Sequence, residues 1–178
     1  MPDGSRVHRV QQRGRSSSDD GGSAVIEHRY HMKNTLEDVD PMVMSLKDCV
    51  CGALEPSVAF RFEVCASETL KNIVKHAKPV TLDGQIDVTL TETKDTLLMT
   101  VFDPVGAAYF DLRDHAPDLE TVDPLAESGR GLGLIMHCAD TVDYGMSKGR
   151  NRLVLSFKKG PQVPHLTTPI DKQFGEQE

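Results

Sequence analysis

Ser67-Glu68-Thr69-Leu70-Lys71-Asn72-Ile73-Val74-Lys75-His76-Ala77 places an acid and an amide one helical turn apart, beside a separate apolar stripe. At about 100° per residue, Phe62, Cys65, Ala66, Thr69, Leu70, Ile73, Val74 and Ala77 gather on one face, the i, i+3, i+4 spacing of a helix packed on a core. Glu68, Asn72 and His76 follow one another at i, i+4, i+8 along the flank of that stripe, so their side chains line one edge of the helix. A carboxylate and an amide so placed suit a metal and a nucleophile; either alone is equally well a solvated helix face. His76, in the last turn, is read as structural, meeting free carbonyls and the helix dipole.

Working outward, Glu55-Pro56-Ser57 starts this helix and Lys78-Pro79 stops it, because the residue before a proline is pushed out of the helical region. Upstream, residues 24–33 carry Val25, Ile26, Tyr30 and Met32 and read as a strand, and Asn34 or Thr35 caps a helix over 36–54. Downstream, Ile86 to Thr91 and Leu97 to Phe102 are β-rich runs that pair as an antiparallel hairpin. Residues 111–128 form a long acidic loop, the length of a functional lid. A helix over 131–139 follows, then a second hairpin, Val142 to Tyr144 with Arg152 to Phe157, turning at Lys148-Gly149. The sum is an α+β fold, a two-layer sandwich with helices on one face of a mixed, mainly antiparallel sheet.

The chain of 178 residues, 38% hydrophobic, is the size of one domain with tails. Residues 1–24, rich in Gly, Ser and Asp, read as a disordered leader, residues 25–160 as the folded domain and residues 161–178 as a tail. The formal net charge of −7 argues against a direct nucleic-acid surface, and Arg6, Arg9, Arg13 and Arg15 are the one basic concentration. No apolar stretch spans a membrane and no secretory h-region opens the chain, so a cytoplasmic protein is expected. Cys49, Cys51, Cys65 and Cys138 fit that compartment as free thiols; Cys49 and Cys51 point about 200° apart on a helix and suit no shared zinc. His28 and His31, three apart in a strand, fall on opposite faces.

Two further segments complete a pattern. Val101-Phe102-Asp103-Pro104-Val105-Gly106 ends a strand with an aspartate at a turn, and Ser128-Gly129-Arg130-Gly131-Leu132-Gly133-Leu134 is a glycine-rich loop entering a helix. Backbone N–H groups at such a helix start favour phosphate, and glycines let the chain approach it closely. The order acid-x3-Asn helix, strand-Asp-turn, acidic loop, Gly-x-Gly helix resembles the GHKL ATP-binding superfamily (the Bergerat fold), and within it the RsbW-type anti-sigma-factor serine/threonine kinases. The resemblance covers residues 25–160 and is closest at Glu68 to Ala77, Gly129 to Leu134 and the closing strand Asn151-Arg152-Leu153-Val154-Leu155.

The resemblance implies roles for these positions. Asn72 would bind Mg²⁺ through its carbonyl, and Glu68 would be the general base that orients and deprotonates the attacking hydroxyl. Asp103 would read the adenine amino group; here Pro104 and Val105 follow it and the glycine comes at Gly106, one place later than the usual Asp-x-Gly. Gly129, Arg130, Gly131, Leu132 and Gly133 would hold the ATP phosphates. The implied function is a MgATP-dependent anti-sigma kinase that binds a sigma factor and phosphorylates a serine of an anti-anti-sigma (STAS) partner, with a homodimer possible. The alternatives are a partner-binding module of the same fold without ATP turnover, or the catalytic domain of a histidine-kinase-type system, and fold alone does not choose among them.

Overall fold

The structure is a computed structural model and describes residues 8–10, 25–77, 84–109 and 130–160. The acidic loop, Gly129, the Lys78-Pro79 helix stop and the C-terminal tail lie outside the described residues. Six strands form one sheet: β1 (His8–Val10), β2 (Ile26–Lys33), β3 (Gln85–Glu92), β4 (Thr96–Phe102), β5 (Thr141–Ser147) and β6 (Arg150–Lys158), in the spatial order β1-β2-β3-β4-β6-β5. A 3₁₀ turn (Leu36–Asp38) leads into α1 (Val39–Val50); α2 (Pro56–His76) and α3 (Arg130–Cys138) complete the helices.

Every described strand pair is antiparallel, in line with the mainly antiparallel sheet expected. One feature of the sheet differs from the sequence reading. Residues 8–10, expected within a structureless leader, pair with β2 in the register His8↔His31, Arg9↔Tyr30 and Val10↔Arg29. The free edge of β2 presents a row of backbone donors and acceptors, and a short segment can satisfy them with little help from its own composition.

The inward face of the sheet follows the strand period of two. Ile86, Val88 and Leu90 on β3, Leu97, Met99 and Val101 on β4, and Leu153, Leu155 and Phe157 on β6 are all buried. The helices supply the other half of the core: Met42 and Leu46 from α1, Phe62, Cys65, Ala66, Leu70 and Ile73 from α2, and Ile135 from α3. Phe62 meets Phe157 edge to face at 5.4 Å, joining α2 to β6. Each such large side chain contributes about 1.5–3 kcal/mol by leaving water.

Chain ends of the elements are held by specific groups. α2 begins with Pro56 at its first turn, where the missing N–H has no partner to lose, and Ala59 N–H donates to the Glu55 carbonyl at 2.8 Å. It ends at Ala77, whose carbonyl accepts from Asn34 Nδ2 at 3.1 Å. Asn34 therefore caps the end of α2 rather than the start of α1, and Thr35 Oγ1 donates to Asp38 Oδ2 at 2.7 Å instead of capping backbone. Lys148 and Gly149, with φ of 53° and 73°, form the two-residue turn of the β5–β6 hairpin, the left-handed pair that matches strand twist.

Candidate functional site

Glu68 and Asn72 project from one edge of α2, as their spacing requires, and α3 crosses that edge with its first turn. A Cβ on Gly131 would collide with Glu68 Oε2 and lie 3.5 Å from Asn72 Nδ2. A glycine here lets the start of α3 rest against the acid and the amide together. The other end of α3 is tied to α2 by Arg61, whose Nη1 donates to the Cys138 carbonyl at 2.8 Å and lies 3.4 Å from Asp140 Oδ1. The helix N-terminus that the sequence assigns to phosphates thus adjoins Glu68 and Asn72.

Asn72 also lines a cleft, together with Ile73, His76 and Ala77 of α2, Asp103 and Ala108 of the segment after β4, Tyr144 of β5 and Leu153 of β6. Asp103 sits at its edge, 8% exposed. Its Oδ2 accepts from Asn151 Nδ2 at 3.0 Å, and its main-chain N–H donates to the Asn151 carbonyl at 3.1 Å. Burial pushes the Asp103 carboxyl above its ordinary value, while the Asn151 hydrogen bond and the Arg150 charge pull it back down. The cleft is mainly apolar, with a buried carboxyl at one side and an amide leading towards Gly131. That arrangement suits a flat ring with an exocyclic amine and an anionic tail.

The residues named from sequence fall into three groups. Glu68, Asn72 and Gly131 adjoin one another, and Asn72 shares the cleft with Asp103. Leu132 is half-buried and packs on the core, and Gly133 is buried within α3; the Arg130 side chain lies outside the described residues, although its backbone opens the helix. Gly106 is not among the cleft-lining residues. Its φ of 79° serves the turn closed by Ala107 N–H on the Pro104 carbonyl at 3.1 Å, which explains its displacement: the turn begins at Pro104, so its left-handed position falls two residues later.

Sequence reasoning missed Asn151, Ala108 and Tyr144, and it assigned His76 a structural role although His76 lines the cleft. Asn151 carried a readable signal. The row 151, 153, 155, 157 is otherwise Leu, Leu and Phe, so an amide stood at an inward, core-facing position.

Asn72 fits a single-carbonyl metal ligand. Its Nδ2 is buried without a partner, and an amide not bound to the protein can turn its carbonyl outward. Among the described residues no cluster of three or more His, Cys, Asp or Glu could hold a metal ion.

Residues 32–157 match the family described as the histidine kinase-like ATPase domain. The chain belongs to that family. Within it the protein is RsbW-like: it is 32% identical over 104 residues to the serine/threonine-protein kinase BtrW of Bordetella bronchiseptica, covering 58% of this chain and 72% of that protein. It is also 32% identical over 114 residues to the serine-protein kinase RsbW of Bacillus pumilus, covering 60% of this chain and 69% of that one. Both matches agree with the GHKL-type α+β fold described above. No helix among the described residues is long and apolar enough to cross a membrane.

Proposed function

We propose that the protein is a MgATP-dependent serine kinase of the partner-switching type, which sequesters a sigma factor and phosphorylates a serine on an anti-anti-sigma (STAS) partner. The observation that carries this reading is the contact of Gly131 with both Glu68 and Asn72, at one end of a cleft that includes Asp103. The names of the two kinases to which the chain is similar support it.

In this reading adenine occupies the cleft against Ile73 and Leu153, with its amino group donating to Asp103. The phosphates meet the N-terminus of α3, where the first-turn backbone N–H groups and the helix dipole favour anions. Mg²⁺, held by the Asn72 carbonyl, would neutralise charge on the phosphate oxygens. Glu68 accepts the proton of the attacking serine hydroxyl, while Lys71, 3.6 Å from Glu68 Oε1, keeps a positive charge beside the carboxylate.

An acceptor polypeptide also needs room to reach Glu68. A groove lined by Val43, Met44, Phe60, Val64 and Leu134 ends on Glu68, and Met44 and Phe60 are exposed there. Such a surface is suited to holding the chain on either side of the attacked serine.

The test uses purified protein, a purified STAS partner and γ-labelled ATP. Glu68→Ala should cut phosphate transfer by roughly 10²- to 10⁴-fold, the usual worth of a general base, while ATP and sigma-factor binding persist. Undiminished transfer would remove Glu68 from the base role and leave positioning to carry the rate.

A further inference from the structure

Asn151 is 1% exposed in an inward row whose other members, Leu153, Leu155 and Phe157, are apolar. A buried amide is unfavourable in such a row unless its groups are bonded. Its Nδ2 answers that need at two points of one segment: it donates to Asp103 Oδ2 at 3.0 Å and to the Ala108 carbonyl at 2.7 Å. Its main-chain carbonyl accepts the Asp103 N–H. One residue of β6 therefore grips both ends of the stretch from Asp103 to Ala108, and both ends line the cleft.

The neighbouring residue holds the same stretch from the other side of the sheet. Arg150 Nε donates to the Asp103 carbonyl at 2.7 Å, and its guanidinium pairs with Asp87, which in turn bonds His31 across the β2–β3 register. The carboxylate of Asp103 has two oxygens and free rotation about its last bond, so the backbone anchor alone does not set which way it faces. The bond from Asn151 to one oxygen does, and it leaves the other oxygen as the acceptor. Asn151 Oδ1 remains buried without a partner, an unmet acceptor at the same place.

We propose that Asn151 is the positioning residue for nucleotide specificity: it binds one oxygen of Asp103 so that the other faces the exocyclic amine of the purine. This rests on the reading that Asp103 receives adenine. It also accounts for a site without the usual Asp-x-Gly spacing. With the glycine displaced to Gly106, the turn runs from Pro104 to Ala107, and a side chain of β6 holds the two residues that flank it, Asp103 and Ala108.

The experiment is calorimetric titration of ATP and of purine riboside 5′-triphosphate, which lacks the 6-amino group. The proteins are the wild type, Asn151→Ala, Asp103→Ala and the double variant, each checked for folding by circular dichroism. Wild type should prefer ATP. Asn151→Ala should lose roughly tenfold in ATP affinity and almost nothing for the analogue, and it should add no further loss in the Asp103→Ala background. If the alanine variant does not fold, Asn151→Thr fills part of the space and keeps one donor; its loss should be smaller and again confined to ATP. Unchanged ATP affinity in the Asn151 variant, or equal losses for both nucleotides, overturns the positioning role while the adenine reading stands. A wild type that binds both nucleotides equally overturns the adenine reading, and this inference with it.

Discussion

At the scale of single residues, Asp103 shows how far function opposes stability. Burial raises its carboxyl pKa, so the folded state holds the proton more readily than the unfolded chain does. Its contribution to stability is therefore complete below the ordinary carboxylate pKa and is lost as pH rises through the raised, folded value. Asp103→Asn should raise the melting temperature of the nucleotide-free protein at neutral pH and leave it nearly unchanged in acid. On the proposed function, the same substitution presents a donor where the adenine amine would need an acceptor, and calorimetry should read an ATP affinity weaker by about ten- to a hundredfold. Asn72→Ala separates the metal from the base: Mg²⁺-dependent ATP affinity should fall by at least about tenfold, roughly 1.4 kcal/mol, with an unchanged circular dichroism spectrum. Affinity that ignores Mg²⁺ in the wild type would remove Asn72 from the metal role. Cys65 behaves in the opposite way to a reactive thiol. Desolvation, with Cys138 beside it, pushes it up to about 12, so native-state alkylation should label exposed Cys51 and spare Cys65. Glu68 and Asn72 were legible in the sequence because a one-turn spacing is a local property. The inward amide at Asn151 is visible in the sequence, but its partner, Asp103, is not, because 48 residues separate the two.

At the scale of elements, the pairing of α2 with α3 builds the site, and Gly131 is its contact point. Gly131→Ala gains helix propensity of about 1 kcal/mol, and the Cβ it adds meets the far end of the Glu68 side chain, which can swing away. The expected outcome is a melting temperature equal to or above that of the wild type, with phosphate transfer in the labelled-ATP assay down by at least tenfold, because Glu68 no longer stands where it did. Lower stability together with unchanged transfer would contradict the contact. The helices α2 and α3 and both hairpins were readable from period and turn chemistry, whereas the first helix, expected over 36–54, opens as a 3₁₀ turn and runs only over Val39–Val50. The short strand β1 was not readable. Three residues have too little pattern of their own, and they pair because the β2 edge is open.

At the scale of the whole molecule, the core joins the helix layer to the sheet through Phe62 and Phe157, both fully buried. Phe62→Ala should lower stability by about 3–5 kcal/mol in urea denaturation, the range for a large-to-small change that leaves a cavity. A change below about 1 kcal/mol would mean that the two layers are joined elsewhere. The sequence by itself determined the class of fold, the helix edge carrying Glu68 and Asn72, and the glycine-bearing helix start, because each depends on spacing within one element. Only the tertiary structure decided that β6 lies between β4 and β5, that the described pairs are all antiparallel, and that Asn151, Arg150 and Asp103 form one unit. Strand order and cross-strand hydrogen bonds are contacts between distant parts of the chain. They are selected by how the burial of several elements is satisfied at once, and no local pattern records that choice.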